Sequence, residues 1–263
     1  MIRFNIVAPT LHGIYPMTAG LPAKAEHTKS LISVLVPARD EAGSLPRLLP
    51  EICAALEGES FEIVVIDDAS HDNTLDVVAT IMTAHPEVRL IRNQSSAGKS
   101  GSLWIGALAA RGEFGVTIDG DGQNDPQYLK PMIGILRSDS RVGLVAGQRK
   151  QRGGGSIKWL ASKIANATRS RVLKDNTWDT ACGLKAFRLE AFLALPYFET
   201  LHRFLPALFA ADNWTVKHLD VIDRPREHGV SKYGVLDRLA VGIPDLFGVW
   251  WLSRRRRTRS RVQ

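Results

Sequence analysis

Two short apolar runs, LISVLVP (Leu31 to Pro37) and EIVVIDD (Glu62 to Asp68), constrain the fold more than any other feature of the chain. Both are almost uninterrupted in their apolar character, so each reads as a strand buried on both faces, the pattern of a parallel sheet covered by helices. Between them Leu45, Leu48, Leu49, Ile52, Ala55 and Leu56 recur at helical spacing, and Asp72 to Ala84 repeats that pattern after the second run. A third strand is expected at Val88 to Asn93, a third helix at Gly101 to Arg111, and a fourth strand at Phe114 to Asp121. A helix around Leu129 to Leu136 then leads to a short strand at Gly143 to Gly147. The alternation predicts an α/β fold whose mainly parallel sheet carries helices on both faces and binds ligands at the carboxyl ends of its strands.

Beyond Gly153, Gly154 and Gly155 the pattern is mixed. A helix is expected from Trp159 to Leu173, a turn at Asp175 and Asn176, a helix from Leu189 to Leu195 and a strand from Trp214 to Asp220. Met1 to about Lys29 has no long apolar core followed by a small-residue cleavage site, and reads as a loosely ordered extension rather than a secretory signal.

The net charge of +7 invites a nucleic-acid reading, but six arginines between Arg254 and Arg261 supply six of those charges, which leaves the rest of the chain at +1. The basicity is a local tail, suited to anionic lipid or an RNA contact and not to a whole nucleic-acid-binding face. Just before it, Leu239 to Leu252 (LAVGIPDLFGVWWL) is apolar over fourteen residues and includes Pro244 and Asp245. A spanning helix needs roughly 20 apolar residues. The segment fits an interfacial helix with Trp250 and Trp251 at headgroup depth; the alternative is a core helix followed by a solvated tail. Cys53 and Cys182 match no metal-binding or redox spacing and read as small buried hydrophobes of a reduced compartment.

The chemistry concentrates in Asp119-Gly120-Asp121-Gly122-Gln123. If the fourth strand runs through it, side chains two apart share a side, so Asp119, Asp121 and Gln123 would present three oxygens together. Mg²⁺ and Mn²⁺ prefer such ligands, and a cation there would hold a diphosphate. An EF-hand is excluded because Asn124 and Lys130 stand where its glycine and glutamate belong. Ala97-Gly98-Lys99-Ser100 is not a P-loop, since Asn93 replaces the first glycine. Lys99 is either a donor-phosphate contact or a surface lysine. Pro37, Arg39 and Glu41 end the first strand and Asp67 and Asp68 the second, so all lie on one rim, where a carboxylate can accept hydrogen bonds from a base or ribose. Helix capping by Asp68, Ser70 or Asp72 is the competing role.

Six segments in order, VPARDE, IVVIDDASHDNT, DGDGQNDP, GLVAGQR, DTACGLKAF and RPREHGVSKYG, span about Leu31 to Gly234. Together they resemble glycosyltransferase family 2, and within it the polyprenyl-phosphate glycosyltransferases similar to dolichol-phosphate mannosyltransferase. The resemblance implies a GT-A fold, inversion at the transferred sugar and a nucleotide-diphospho-sugar donor, GDP-, UDP- or dTDP-linked. It implies that Asp119, Asp121 and Gln123 hold Mg²⁺ or Mn²⁺ and the donor phosphates. Pro37, Arg39, Glu41 and Asp68 match the nucleotide pocket, joined on the donor side by Lys99 and Gly120. Arg149 and Arg226 match positions that bind phosphates of acceptor and donor. Lys158 stands where relatives often carry an arginine, and Asp223 where close relatives often carry histidine. Lys232 belongs to the SKY element. Asp179 matches the acid of a DPxSGF-like segment and is expected to orient its neighbours, or else to cap a helix together with Thr180. His202-Arg203-Phe204 resembles an HRF element, while a lone histidine is more often structural.

A polyprenyl phosphate already presents an anionic oxygen, so no general base is needed, and catalysis reduces to positioning and charge neutralisation. The expected enzyme moves a hexose or uronic acid to a polyprenyl phosphate at the cytoplasmic face of the membrane, in cell-envelope glycan synthesis. Its expected parts are an extension at residues 1–29, a catalytic domain at 30–232 and a membrane-interface segment at 233–263. The rival readings are a family 2 enzyme with a polysaccharide or soluble acceptor, and a nonenzymatic RNA- or membrane-binding protein built around the tail.

Overall fold

The computed structural model describes residues 31–149, 169–173, 175–225 and 235–255, with the side chains of the last segment described from residue 244 onward. Seven strands form one sheet: β1 (Ile32–Ala38), β2 (Phe61–Asp67), β3 (Val88–Arg92), β4 (Phe114–Thr117), β5 (Val142–Arg149), β6 (Lys185–Arg188) and β7 (Thr215–Val221), in the spatial order β3-β2-β1-β4-β6-β5-β7. Strands β1 to β4 are mutually parallel, β5 is parallel to β7, and β6 alone runs antiparallel, between β4 and β5. The helices are α1 (Leu45–Ala55), α2 (Thr74–Ala84), α3 (Gly98–Ala109), α4 (Leu129–Ser138), α5 (Leu189–Leu193), α6 (Leu201–Ala211) and α7 (Val235–Arg255).

The apolar runs behave as their composition dictates. Alternate residues of β1 and β2 feed two separate cores. Val34, Val36, Ile63 and Val65 pack with Leu45, Leu48, Leu49 and Ile52 of α1 and with Met132, Ile133 and Leu136 of α4 on one face. Leu35, Val64 and Ile66 pack with Leu103 of α3, Phe192 of α5 and Leu205, Leu208 and Phe209 of α6 on the other. Two buried faces explain why these strands lack polar alternation.

Three expectations change. β4 ends at Thr117, four residues short of Asp121, and Gly122 has φ +73, so the acidic stretch is a turn beyond the strand and not its continuation. Strand alternation therefore does not align Asp119, Asp121 and Gln123. The antiparallel strand β6 was not expected at all. The C-terminal helix is also longer than its apolar stretch: α7 covers 21 residues and runs through Pro244. Of the helix expected over Trp159 to Leu173, only 169–173 falls within the described residues, and it is helical.

Helix α7 has two apolar faces. Leu246, Val249 and Leu252 pack on the second core, and Asp245 accepts a hydrogen bond from the Thr200 hydroxyl at 2.6 Å, just before α6. Phe247 and Trp251, one turn apart, stay 63% and 53% exposed. The Arg254 guanidinium lies over Trp250 and that of Arg255 over Trp251. Among the described residues no helix is long and apolar enough to cross a membrane.

Candidate active site

The topology delivers the chemistry to one rim. Strands β1, β2, β4, β5 and β7 all end there: Arg39, Asp68, Asp119 and Asp223 follow β1, β2, β4 and β7, and Arg149 is the last residue of β5. Because β6 runs the opposite way, it starts there, and residues 179–183 approach the same rim from the other direction.

The acidic turn is fastened from inside. Asn124, buried, accepts from the backbone N–H of Asp119 at 3.2 Å and donates to Asp223 at 3.1 Å. Asp121 accepts from the N–H of Gln123 at 3.2 Å, and the Gln123 carbonyl accepts from the N–H of Arg224 at 2.7 Å. Lys99, in the first turn of α3, places its ammonium 2.5 Å from Oδ1 of Asp119. Burial alone would raise the Asp119 carboxyl, but Lys99 first, then Lys185 and Arg149, hold it below the usual carboxylate range. Gly183 makes the close packing possible: a Cβ there would lie 2.3 Å from Oδ2 of Asp119.

The basic half centres on Arg149 at the end of β5. Its guanidinium grips the fully buried Asp179 through Nε at 2.7 Å and Nη2 at 3.0 Å, and reaches Asp223 through Nη1 at 3.1 Å. Burial opposes its charge, yet Asp179 and Asp223 raise it further above its ordinary value. Burial prevails at Asp223, whose carboxyl is pushed up despite Arg149. Asp179 also accepts from the N–H of Ala181 at 3.2 Å.

The nucleotide-side candidates form a second network. Arg39 donates to the Ser96 hydroxyl at 2.9 Å, which donates to Asp68 at 2.7 Å. Asp68 also accepts from the Asn93 side chain at 2.9 Å and from the N–H groups of Ala97 and Gly98 at 2.7 and 3.1 Å. Its carboxylate therefore caps α3, not the helix that follows it in sequence. The capping of α2 falls to Asp72, which accepts from the Thr74 N–H at 3.0 Å. Glu41 accepts from Ser44 at 3.4 Å. Gly120 packs under the first strand, where a Cβ would be 3.0 Å from the Pro37 carbonyl.

Two participants escaped the sequence reading. Lys185, the first residue of β6, is 3% exposed, donates to the carbonyls of Thr180 and Cys182, and is lowered by burial to about 8. Asp223, read as a departure from relatives, completes the Arg149 cluster. His202 shares a 2.7 Å hydrogen bond with Ser100. Burial and the charges of Lys99, Lys185 and Arg203 push its imidazole well below its ordinary value, which keeps it neutral. Lys158, Arg226, Lys232 and His228 lie outside the described residues.

The model of Glycosyl transferase family 2 matches residues 33–195, more than half of the chain. The chain belongs to glycosyltransferase family 2. The match takes in the whole nucleotide-side rim, the acidic turn, Arg149, Asp179 and Lys185. A family 2 relative, the dodecaprenyl-phosphate galacturonate synthase of Rhizobium johnstonii, is 30% identical over 229 residues, which cover 85% of this chain and 67% of that protein. The undecaprenyl-phosphate 4-deoxy-4-formamido-L-arabinose transferase of Aeromonas hydrophila is 28% identical over 210 residues, 78% of this chain and 64% of that one. The chain thus spans about two thirds of the length of these relatives. The glucosyl-3-phosphoglycerate synthase of Mycobacterium tuberculosis, solved with Mn²⁺, uridine diphosphate and glucosyl-3-phosphoglycerate, superposes with a TM-score of 0.63 at 19% identity, covering 85% of this chain and 80% of that one. The family 2 chain shares the GT-A fold with it.

Proposed function

We propose that this family 2 glycosyltransferase transfers one hexose or uronic acid, with inversion, from a nucleoside diphosphate to the phosphate of a polyprenyl lipid at the cytoplasmic face of a membrane. The observation that carries the reading is the continuous link from acidic turn to basic cluster: Asp119, Asn124, Asp223, Arg149, Asp179. An acidic turn suits the donor diphosphate with a cation, and an oriented guanidinium suits a second phosphate. The first relatives, named for dodecaprenyl and undecaprenyl phosphate, support that choice of acceptor.

The donor set fits a hard divalent cation. Asp119 and Asp121 offer carboxylate oxygens two residues apart and Gln123 an amide oxygen, and Gly183, lacking a side chain, leaves the Asp119 carboxylate the room it occupies. The structural relative solved with Mn²⁺ and uridine diphosphate supports Mg²⁺ or Mn²⁺ here. When bound, the cation neutralises charge on the departing diphosphate. The chain's own residues do the rest. Lys99 supplies positive charge beside the diphosphate. Arg149, locked in one orientation by Asp179, fixes the acceptor phosphate, with Lys158, Arg226 and Lys232 assigned to the same phosphates. A lipid-phosphate oxygen attacks the anomeric carbon as the bond to the diphosphate breaks, and the nucleoside diphosphate leaves with the electron pair. No proton has to be removed from the nucleophile.

Pro37, Arg39, Glu41 and Gly120 border the donor half, and Asp68 acts there through the loop it holds at residues 96–98. Residues 30–232 would form the catalytic domain, 1–29 an extension and 233–263 the membrane-interface segment. The inner face of α7 holds to the body while Phe247, Trp251 and the following arginines meet anionic lipid. Replacing both Phe247 and Trp251 with serine should abolish cosedimentation with anionic vesicles; unchanged cosedimentation would refute the anchoring role. For the chemistry, Asp121→Asn should eliminate metal-dependent transfer while the circular dichroism spectrum stays native, and full activity in that variant would sink the assignment.

A further inference from the structure

At the end of the sheet opposite the candidate active site, one side chain from α1 and two from the turn between α2 and β3 face one another. Cys53 lies near the C-terminal end of α1, His85 caps the end of α2, and Glu87 immediately precedes β3. One ligand atom from each, the Cys53 sulfur, a His85 ring nitrogen and a Glu87 carboxylate oxygen, lies within 4.8 Å of the other two. The backbone under them is fixed: the His85 carbonyl accepts from the N–H of Val88 at 3.0 Å, and the Glu87 carbonyl from the N–H of Ile63 at 2.8 Å. All three side chains are half-buried.

We propose that Cys53, His85 and Glu87 form a zinc site that clamps the end of α1 to the turn between α2 and β3. The ligand chemistry selects the metal. A thiolate, an imidazole nitrogen and a carboxylate oxygen form a borderline-soft set that suits Zn²⁺ and is poor for Mg²⁺. Thiolate and carboxylate together carry two negative charges beside a neutral imidazole, so a dication makes the group neutral. Without a cation, burial and the neighbouring Glu87 carboxylate both push the Cys53 thiol up; a bound dication opposes both effects. Ligand atoms bound to one zinc ion sit about 3.3–3.8 Å apart, given bonds of about 2.0–2.3 Å. Small side-chain rotations therefore close the observed cluster around an ion, and water completes the fourth position. The site differs in ligand type and in location from the all-oxygen acidic turn, so its test is independent of the glycosyl-transfer reading.

Cobalt reports such a site directly. With the full-length protein held in non-thiol reductant and excess Mg²⁺ filling the acidic turn, one equivalent of Co²⁺ should give a thiolate-to-cobalt charge-transfer band that Zn²⁺ displaces. Cys53→Ser should remove the band, and both Cys53→Ser and His85→Ala should weaken Zn²⁺ binding by at least about tenfold, with native circular dichroism and unchanged sugar transfer. Cys182, the other cysteine, is fully buried, so Zn²⁺ but not Mg²⁺ should also protect the single reactive thiol from alkylation. Absence of the band at stoichiometric Co²⁺, or a band that persists in Cys53→Ser, would overturn the proposal.

Discussion

The Lys99 ammonium stands 2.5 Å from Oδ1 of Asp119, so the first acid of the Asp-Gly-Asp turn is already neutralised by a positive charge from the first turn of α3. A cation approaching that carboxylate competes with the lysine, and a diphosphate arriving with it gives the lysine a new partner. Lys99→Ala should therefore bind Mn²⁺ more tightly in the absence of nucleotide, by about fivefold for a partly exposed ion pair, while its KM for the donor rises. Mn²⁺ titration followed by electron paramagnetic resonance checks the first part. Weaker nucleotide-free binding in the variant would show that Lys99 supports the metal position and does not compete for it.

Gly183 carries no side chain because Asp119 occupies the space one would need; a Cβ would meet both carboxylate oxygens at 2.3 and 2.5 Å. Gly183→Ala should push Asp119 aside and leave the sheet intact. A displacement of about 1 Å at a reacting centre costs on the order of 10²-fold, so kcat should fall by about that factor with little change in melting temperature. Wild-type kcat in this variant would mean that the position of Asp119 is unimportant.

Lys185 titrates at about 8 in the folded protein against an ordinary 10.5. Between these values the unfolded chain binds a proton that the native state has released, so stability should rise as pH climbs from about 8 toward 10.5. Below about pH 8 both states hold the proton, and the cost of burying the ammonium is present in full. Urea denaturation between pH 7 and 10 should show this slope in the wild type and a flatter one in Lys185→Met. Equal slopes would place the titration elsewhere.

The sheet was legible in the sequence wherever a strand is buried on both faces, because β1 and β2 then carry an unbroken apolar signal. Strand β6 gave no such signal: it is four residues long, Lys185-Ala-Phe-Arg188, with a charged residue at each end. Its lysine is buried by tertiary contacts that local pattern does not encode. The acidic turn is legible by composition but its geometry is not, because the strand period stops at Thr117 and the chain then turns, with Gly122 at φ +73. The cap made by Asp68 was also invisible locally, because its donors lie 25 to 30 residues downstream. Arg149, Asp179 and Asp223 meet across separations of 30 and 74 residues, too far apart for local pattern to link them. Asp223 had one available clue, its place directly before the RPR segment.

The most direct test of the account is the choice of acceptor. The protein, supplied with Mn²⁺ or Mg²⁺ and with UDP-, GDP- and dTDP-sugars in turn, is offered a short-chain polyprenyl phosphate and, separately, free sugars and oligosaccharides. The account predicts a glycosyl phosphodiester on the lipid, with the anomeric configuration inverted relative to the donor, and no transfer to unphosphorylated acceptors. Glycosylation of free sugars or oligosaccharides with none on the lipid phosphate would contradict it.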